Sequence, residues 1–160
     1  MFNTTGGFVM KKLHVNVACG KNSLETVWAL LTPKSPGGKY KHYICCCLYS
    51  TPKSKLNEAL LHHIQFNVTR LTDLYKDAGV IICGDINNLK VDRLLNVYAN
   101  LKNLVADPTH GSKILDVILT DAHAVYDRAK VGPAIGPDVA VYGKASDHLV
   151  AIACLEPGKV

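Results

Sequence analysis

A chain of 160 residues with 48% apolar and 19% charged residues has the size and composition of one folded domain, which excludes an intrinsically disordered segment. No apolar run reaches the roughly 18 residues that a membrane-spanning helix needs, and the first residues lack the regions of a signal peptide. The net charge of +5 permits a polyanionic partner without requiring one. We therefore expect an intracellular protein, nuclear or cytoplasmic, with a single domain over residues 1–160.

The first third of the chain predicts a meander of three strands. Apolar residues alternate along residues 8–17, and Val27–Leu31 and Tyr40–Tyr49 are apolar runs separated by stretches rich in Gly, Pro and Ser. Strands that follow one another with only short connections are typical of antiparallel pairing rather than of a strand-helix-strand unit.

The six cysteines do not have the pattern of a disulfide framework or a zinc site. Three are consecutive at positions 45–47, the others lie in apolar surroundings, and there is no Cys-x-x-Cys pair. We interpret them as buried free thiols of a reducing compartment.

A long amphipathic helix is predicted over about residues 55–76, because apolar residues recur there at every third or fourth position. Thr51-Pro52 is typical of an N-cap and first turn, and Gly79 occupies a natural C-cap position. The adjacent His62 and His63 point about 100° apart on such a helix, so we interpret them as partly exposed rather than as a metal pair.

The second half of the chain alternates between predicted strands and one shorter helix. Val80–Cys83 is a continuous apolar run, which predicts a central strand covered on both faces, and Gly84 lets the chain turn where this strand ends. The remaining predicted elements are a helix over Val91–Leu101 and strands over Ile114–Thr120, Ala124–Val131 and Leu149–Leu155. The resulting order, β-β-β-α-β-α-β-β-β, predicts a mixed α/β fold.

Asp85 and Asn87 stand where the central strand ends. In an extended chain they point the same way, and a carboxylate beside a carboxamide can hold an activated water and a phosphate. The alternative is a solvated turn, in which Asp and Asn are also common.

Asp116 interrupts an apolar strand, and a carboxylate there must be paired unless its face of the strand is solvated. Asp147-His148, just before the last strand, offers a partner, since an imidazole bonded to a carboxylate keeps one tautomer and can become a cation facing a phosphate. The alternative is a polar cap on that strand. Tyr49 can donate its hydroxyl to an anion or be an ordinary rim tyrosine.

The order of Gly84-Asp85-Ile86-Asn87, an acid within residues 114–119, and Ser146-Asp147-His148 resembles the C-terminal half of the endonuclease/exonuclease/phosphatase family. Residues 108–120 and 49–52 are most similar to the endonuclease domains of non-LTR retrotransposons, and the resemblance runs from about Gly6 to the end. It implies a four-layer α/β sandwich of the DNase I-like type. It also implies Mg²⁺- or Mn²⁺-dependent hydrolysis of DNA, with no membrane and no small-molecule cofactor.

The resemblance further implies a role for each candidate residue. Asp85 would orient or deprotonate the attacking water, and Asn87 would hold the phosphate in line. His148, oriented by Asp116, would neutralise the scissile phosphate. Tyr49 would donate to a non-bridging oxygen, and Asp147 would contribute to the metal site.

One part of the family pattern is missing from this sequence. The family opens with a strand carrying an asparagine and continues to a metal-binding glutamate, and both belong upstream of residues 6–9; Glu25 corresponds to an ordinary strand residue. We therefore expect an N-terminally truncated, partial domain with weakened metal binding. This leaves three functions open: a DNA-nicking endonuclease, a non-catalytic remnant of the fold, or a phosphatase or phosphodiesterase acting on a phospholipid head group or a nucleotide.

Overall fold

The structure is a computed structural model that describes residues 7–19, 22–34, 39–52, 55–133 and 148–154. Two helices, Asn57–Leu74 (α1) and Val91–Leu95 (α2), are set among ten strands of the described residues. The strands are Phe8–Leu13 (β1), Ala18–Cys19 (β2), Asn22–Ser23 (β3), Thr26–Pro33 (β4), His42–Tyr49 (β5), Ala78–Asp85 (β6), Lys102–Asn103 (β7), Asp116–Thr120 (β8), Lys130–Gly132 (β9) and Val150–Ile152 (β10).

Six strands form one mixed sheet in the order β1-β4-β5-β6-β8-β7. Among the described strands of this sheet, only β5 and β6 run parallel, and α1 is the crossover that connects them. The other neighbouring pairs are antiparallel, as the short connections predicted for the first three strands. The predicted mixed α/β fold is confirmed.

The main core lies between this sheet and α1. Alternate residues of β6 show which face is covered, because Val80 and Ile82 are fully buried there, together with Ile64 and Val68 of the helix. Ile81 points to the other face and is only half-buried. The central strand is therefore less completely covered on its second face than its apolar run predicted.

The second face carries a smaller core beneath the β9–β10 ribbon. Leu104, Val105 and Ala129 are buried there against Ile118 of β8 and Ala151 of β10. Within the part of the chain that the structure describes, a helix layer, the large sheet and this ribbon account for three of the four layers that the resemblance implied.

The helix α1 lies within two residues of the predicted range 55–76, but both predicted caps are wrong. The helix begins at Asn57, so Thr51-Pro52 lies before it and is not its N-cap; the N-cap residue is Leu56, which makes no side-chain capping bond. The helix ends at Leu74 with Tyr75 as its C-cap, and Gly79 lies inside β6. A Cβ on Gly79 would approach the rings of two tyrosines to 3.1–3.2 Å, so close packing rather than a cap accounts for this glycine.

Other predicted elements are also shorter than expected. Of the strand predicted over Leu149–Leu155, only Val150–Ile152 is a strand among the described residues. The predicted helix over Val91–Leu101 ends at Leu95, although Leu94, Val97 and Leu101 all remain buried. The apolar residues after Leu95 therefore reach the core from turns rather than from a continuous helix. The predicted strand over residues 124–131 is limited to β9, and the strand pair formed by the short β7 was not predicted.

The described cysteines differ from the expected buried thiols. Cys46 is buried, but Cys47 and Cys154 are exposed. A hydrogen bond from the neighbouring Cys83 thiol lowers the pKa of Cys47 to about 6. Burial instead raises the pKa of Cys45 to about 12. His62 is exposed and His63 half-buried, as expected for this helix. In the described part of the chain, no helix is long and apolar enough to cross a membrane.

Candidate active site

Three neighbouring strands bring candidate residues to one edge of the sheet. Tyr49 is the last residue of β5, Asp85 the last of β6 and Asp116 the first of β8. Tyr49 pairs with Asp85 across the parallel ladder, and Asp85 pairs with Asp116 across the antiparallel ladder. Residues paired in this way point to the same face, so the register alone places the three side chains in one row on the face opposite α1.

Gly84 allows β5 and β6 to approach each other directly before this row. Its φ of +140° lies in a region that other residues rarely adopt. A Cβ at this position would lie 1.8 Å from the carbonyl oxygen of Leu48, which is backbone of the neighbouring strand and has no rotamer to change. The sequence predicted a turn at this glycine; its main contribution is the close contact between two strands.

Asp85 and Asn87 do not continue the strand together. The backbone N–H of Asn87 donates to Oδ1 of Asp85 over 2.9 Å, and the φ of Asn87 is +45°. The chain therefore folds back in a turn built on the aspartate side chain, and the assumption of an extended chain is wrong. The Asn87 side-chain amide donates to the carbonyl of Ser50 over 2.8 Å.

Ser50 is a positioning residue that the sequence did not reveal. It is 2% exposed, its N–H donates to the Asp85 carbonyl over 2.9 Å, and its carbonyl accepts the Asn87 side chain. These two bonds connect the end of β5 to the turn after β6. The only signal in the sequence was its place after Tyr49, which does not indicate a backbone partner 35 residues away.

His148 lies between the two aspartates of the row. Its Nδ1 is 2.9 Å from Oδ2 of Asp116, and its Nε2 is 3.9 Å from Oδ2 of Asp85. All three side chains are largely shielded, with exposed fractions of 28%, 25% and 19% for His148, Asp116 and Asp85. Because an ionised carboxylate only accepts, the Nδ1–H donates to Asp116, which holds the ring with Nε2 on the Asp85 side. The predicted pairing of Asp116 is thus present.

Thr109 holds both halves of this pair in place. Its side chain is fully buried, and its hydroxyl oxygen accepts the backbone N–H groups of Leu115 and Asp116, each over 3.0 Å. Its carbonyl accepts the N–H of Leu149, next to His148, over 2.7 Å. The sequence pattern did not single out Thr109, because its burial and its backbone partners become visible only in the structure.

Tyr49 and Glu25 lie within the described residues, and Asp147 does not. Tyr49 belongs to the row and is 40% exposed, and its N–H donates to the carbonyl of Glu25 over 2.9 Å. The Glu25 side chain is exposed and is not part of the acid-histidine cluster, but Glu25 lies between β3 and β4 rather than inside a strand as expected. Asp147 lies outside the described residues, so its expected metal role stays a prediction.

Asp85, Asp116 and His148 also form a candidate site for a divalent metal. Each offers one ligand atom, and these atoms lie within 4.8 Å of one another. Two carboxylates and an imidazole fit a divalent ion in chemistry, and the nitrogen suits Mn²⁺ at least as well as Mg²⁺, which prefers oxygen ligands.

No protein-family model and no curated protein matches this chain. Solved structures do match it. The catalytic domain of human Nocturnin has 18% identity and a TM-score of 0.54, covering 92% of this chain and 60% of that one. Truncated Caenorhabditis elegans TDP2 has 13% identity and a TM-score of 0.61, covering 92% and 65%. An endonuclease/exonuclease/phosphatase from Bacteroides vulgatus has 14% identity and a TM-score of 0.51, covering 82% and 55%.

These likenesses show that the chain has the DNase I-like fold of the endonuclease/exonuclease/phosphatase proteins. The chain spans less than two thirds of the length of each of these structures. The predicted fold is thereby confirmed, whereas the closer resemblance to retrotransposon endonucleases stays a prediction.

Proposed function

We propose that this chain, with its DNase I-like fold, carries the part of a phosphodiesterase site that activates water and binds phosphate, and that its substrate is DNA. The observation that carries the proposal is the position of His148 between Asp116 and Asp85. An imidazole held by one carboxylate and facing a second across 3.9 Å is arranged for proton transfer and for binding an anion.

The separation of His148 and Asp85 supports this assignment. The 3.9 Å between Nε2 of His148 and Oδ2 of Asp85 is an ion-pair distance and is too long for a direct hydrogen bond. In the proposed reaction, Asp85 accepts a proton from the attacking water. His148 donates from Nε2 to a non-bridging oxygen of the phosphate, while Asp116 keeps the ring oriented.

Tyr49 extends the same row and would donate its hydroxyl to the phosphate. We expect the Asn87 carboxamide to help hold the phosphate in line. One of its side-chain N–H groups already donates to the Ser50 carbonyl. A divalent ion held by carboxylate oxygens of Asp85 and Asp116, with Asp147 as a further proposed ligand, would supply positive charge to oppose the charge that grows on the phosphate. In this role assignment His148 is not a metal ligand, because Nε2 carries the hydrogen that it donates to the phosphate.

DNA of the kind nicked by retrotransposon endonucleases is the substrate that we propose. The loop before β8 supports this substrate. The ring of His110 lies 4.9 Å from the ring of His148, and His110 pairs with Lys113 in an isolated antiparallel β-bridge. This loop borders the proposed phosphate position, and the net charge of +5 favours a polyanion.

A second candidate is a non-catalytic remnant of the same fold. It is favoured by the small number of metal ligands, because Glu25 is exposed and the described residues contain one acid-histidine cluster, of three members. Mg²⁺ requires several well-placed oxygens or waters, and such a set would hold it weakly.

A plasmid-nicking assay separates these proposals. We expect the purified chain to convert supercoiled plasmid to the open circle with Mg²⁺ or Mn²⁺, and Asp85→Asn and His148→Gln each to reduce the rate by about 10² or more. Asp73→Asn, at an exposed aspartate of α1, is the matched control and should have no effect. Equal nicking by all four proteins would refute the site assignment.

Folded protein that nicks with neither metal would instead support the remnant. In the same preparation, hydrolysis of a phosphoinositide or a nucleotide without plasmid nicking would support the phosphatase alternative.

A further inference from the structure

Two cysteine thiols lie in contact on the face of the sheet that α1 leaves uncovered. Cys47 of β5 and Cys83 of β6 are directly paired across the parallel ladder, and their sulfur atoms are 3.4 Å apart. Adjacent strands of a sheet are about 4.7–4.9 Å apart, which falls within the Cα separations that disulfides accept. The backbone therefore already brings both residues to a separation that a sulfur-sulfur bond can span.

The surroundings of the pair distinguish it from the other described cysteines. Cys47 is exposed and Cys83 is half-buried. A reagent can therefore reach the sulfur of Cys47 while the sulfur of Cys83 lies in contact with it. Cys46 points into the core on the opposite face of the sheet. Cys154 is exposed and lies two residues after the end of β10. Among the described residues, Cys47 and Cys83 are the cysteines whose sulfur atoms lie in contact with each other.

We infer that Cys47 and Cys83 form a thiol modification site, in which a low-molecular-weight disulfide oxidises the pair to an intramolecular disulfide. The thiolate of Cys47 attacks one sulfur of the reagent, forming a mixed disulfide and releasing one small thiolate. The sulfur of Cys83 then loses its proton and attacks Sγ of Cys47, forming the new bond and releasing the second small thiolate. The protein loses two hydrogens, and the reagent is reduced to two small thiols.

The site does not depend on the proposed hydrolase activity, because it requires only the two sulfurs. Its bond is expected to be easily reduced, since a disulfide between directly paired residues of neighbouring strands has little freedom to relax its geometry. Cys47 and Cys83 each precede a member of the active-site row by two residues and point to the same face as that row.

The test is oxidation of the purified 160-residue chain with oxidised glutathione, followed by intact mass and peptide mapping. We expect the loss of two hydrogens per chain, a cross-linked pair of peptides containing Cys47 and Cys83, and full reversal by dithiothreitol. Cys83→Ser should instead accumulate one glutathione on Cys47, and Cys47→Ser should form no intramolecular bond. Cys154→Ser, at an exposed cysteine, is the matched control and should behave as the unmodified sequence does.

Two results would overturn the inference. The first is a stable glutathione adduct on Cys47 in the unmodified chain, formed as readily as in Cys83→Ser. The second is a cross-link that joins either thiol to Cys154 instead. Because the unmodified chain provides the first measurement, a folding defect in one variant does not remove the test.

Discussion

Replacing Gly84 by alanine tests the contact on which the candidate site depends. The added Cβ would lie 1.8 Å from the Leu48 carbonyl oxygen at a φ of +140°. The backbone strain alone costs about 1–3 kcal/mol. Relieving the overlap requires β5 and β6 to separate, which weakens neighbouring ladder bonds worth about 1 kcal/mol each. We therefore expect Gly84→Ala to lower the free energy of unfolding by about 3–5 kcal/mol.

Urea unfolding followed by circular dichroism measures this loss. With a slope of about 2 kcal/mol per molar urea, the midpoint should fall by roughly 2 M. Gly111→Ala is one control, because Gly111 has a φ of +56° but no atom within 4 Å of the added Cβ; its cost should be about 1 kcal/mol. Gly132→Ala, with open space and no positive φ, should change the midpoint little. If Gly84→Ala costs no more than Gly111→Ala, the close approach of the strands is refuted.

Three further changes test other parts of the structure. Thr109→Val should cost about 2–3 kcal/mol in urea unfolding by leaving two backbone N–H groups without an acceptor, whereas Thr109→Ser should cost less; equal losses would contradict the role of the hydroxyl. Burial lowers the pKa of His63, so stability should be full above about pH 6.5 and fall as the pH drops below it. His63→Gln should flatten this dependence, measured as urea midpoint against pH, and His62→Gln should not. Iodoacetamide should alkylate Cys47 with a midpoint near pH 6, and Cys83→Ala should raise that midpoint; an unchanged profile would exclude the thiol pair as its cause.

The amino-acid sequence determined the elements and several chemical groups of this protein. The three- and four-residue spacing of apolar residues determines α1, and the apolar run before Gly84 determines β6, because both patterns reflect which faces must leave water. Asp116 stood out for a physical reason as well, since a carboxylate within an apolar strand needs a partner. His148 was the partner expected, and it lies 2.9 Å away.

Tertiary structure decided which of these groups meet and what holds them. Asp85 and Asp116 become neighbours through strand register, and register between segments 31 residues apart depends on packing that no local pattern specifies. The bonds from Thr109 and Ser50, the approach at Gly84 and the contact of Cys47 with Cys83 are likewise contacts between different segments. Local sequence carries propensity and polarity, whereas these contacts arise only when separate strands are brought into one sheet.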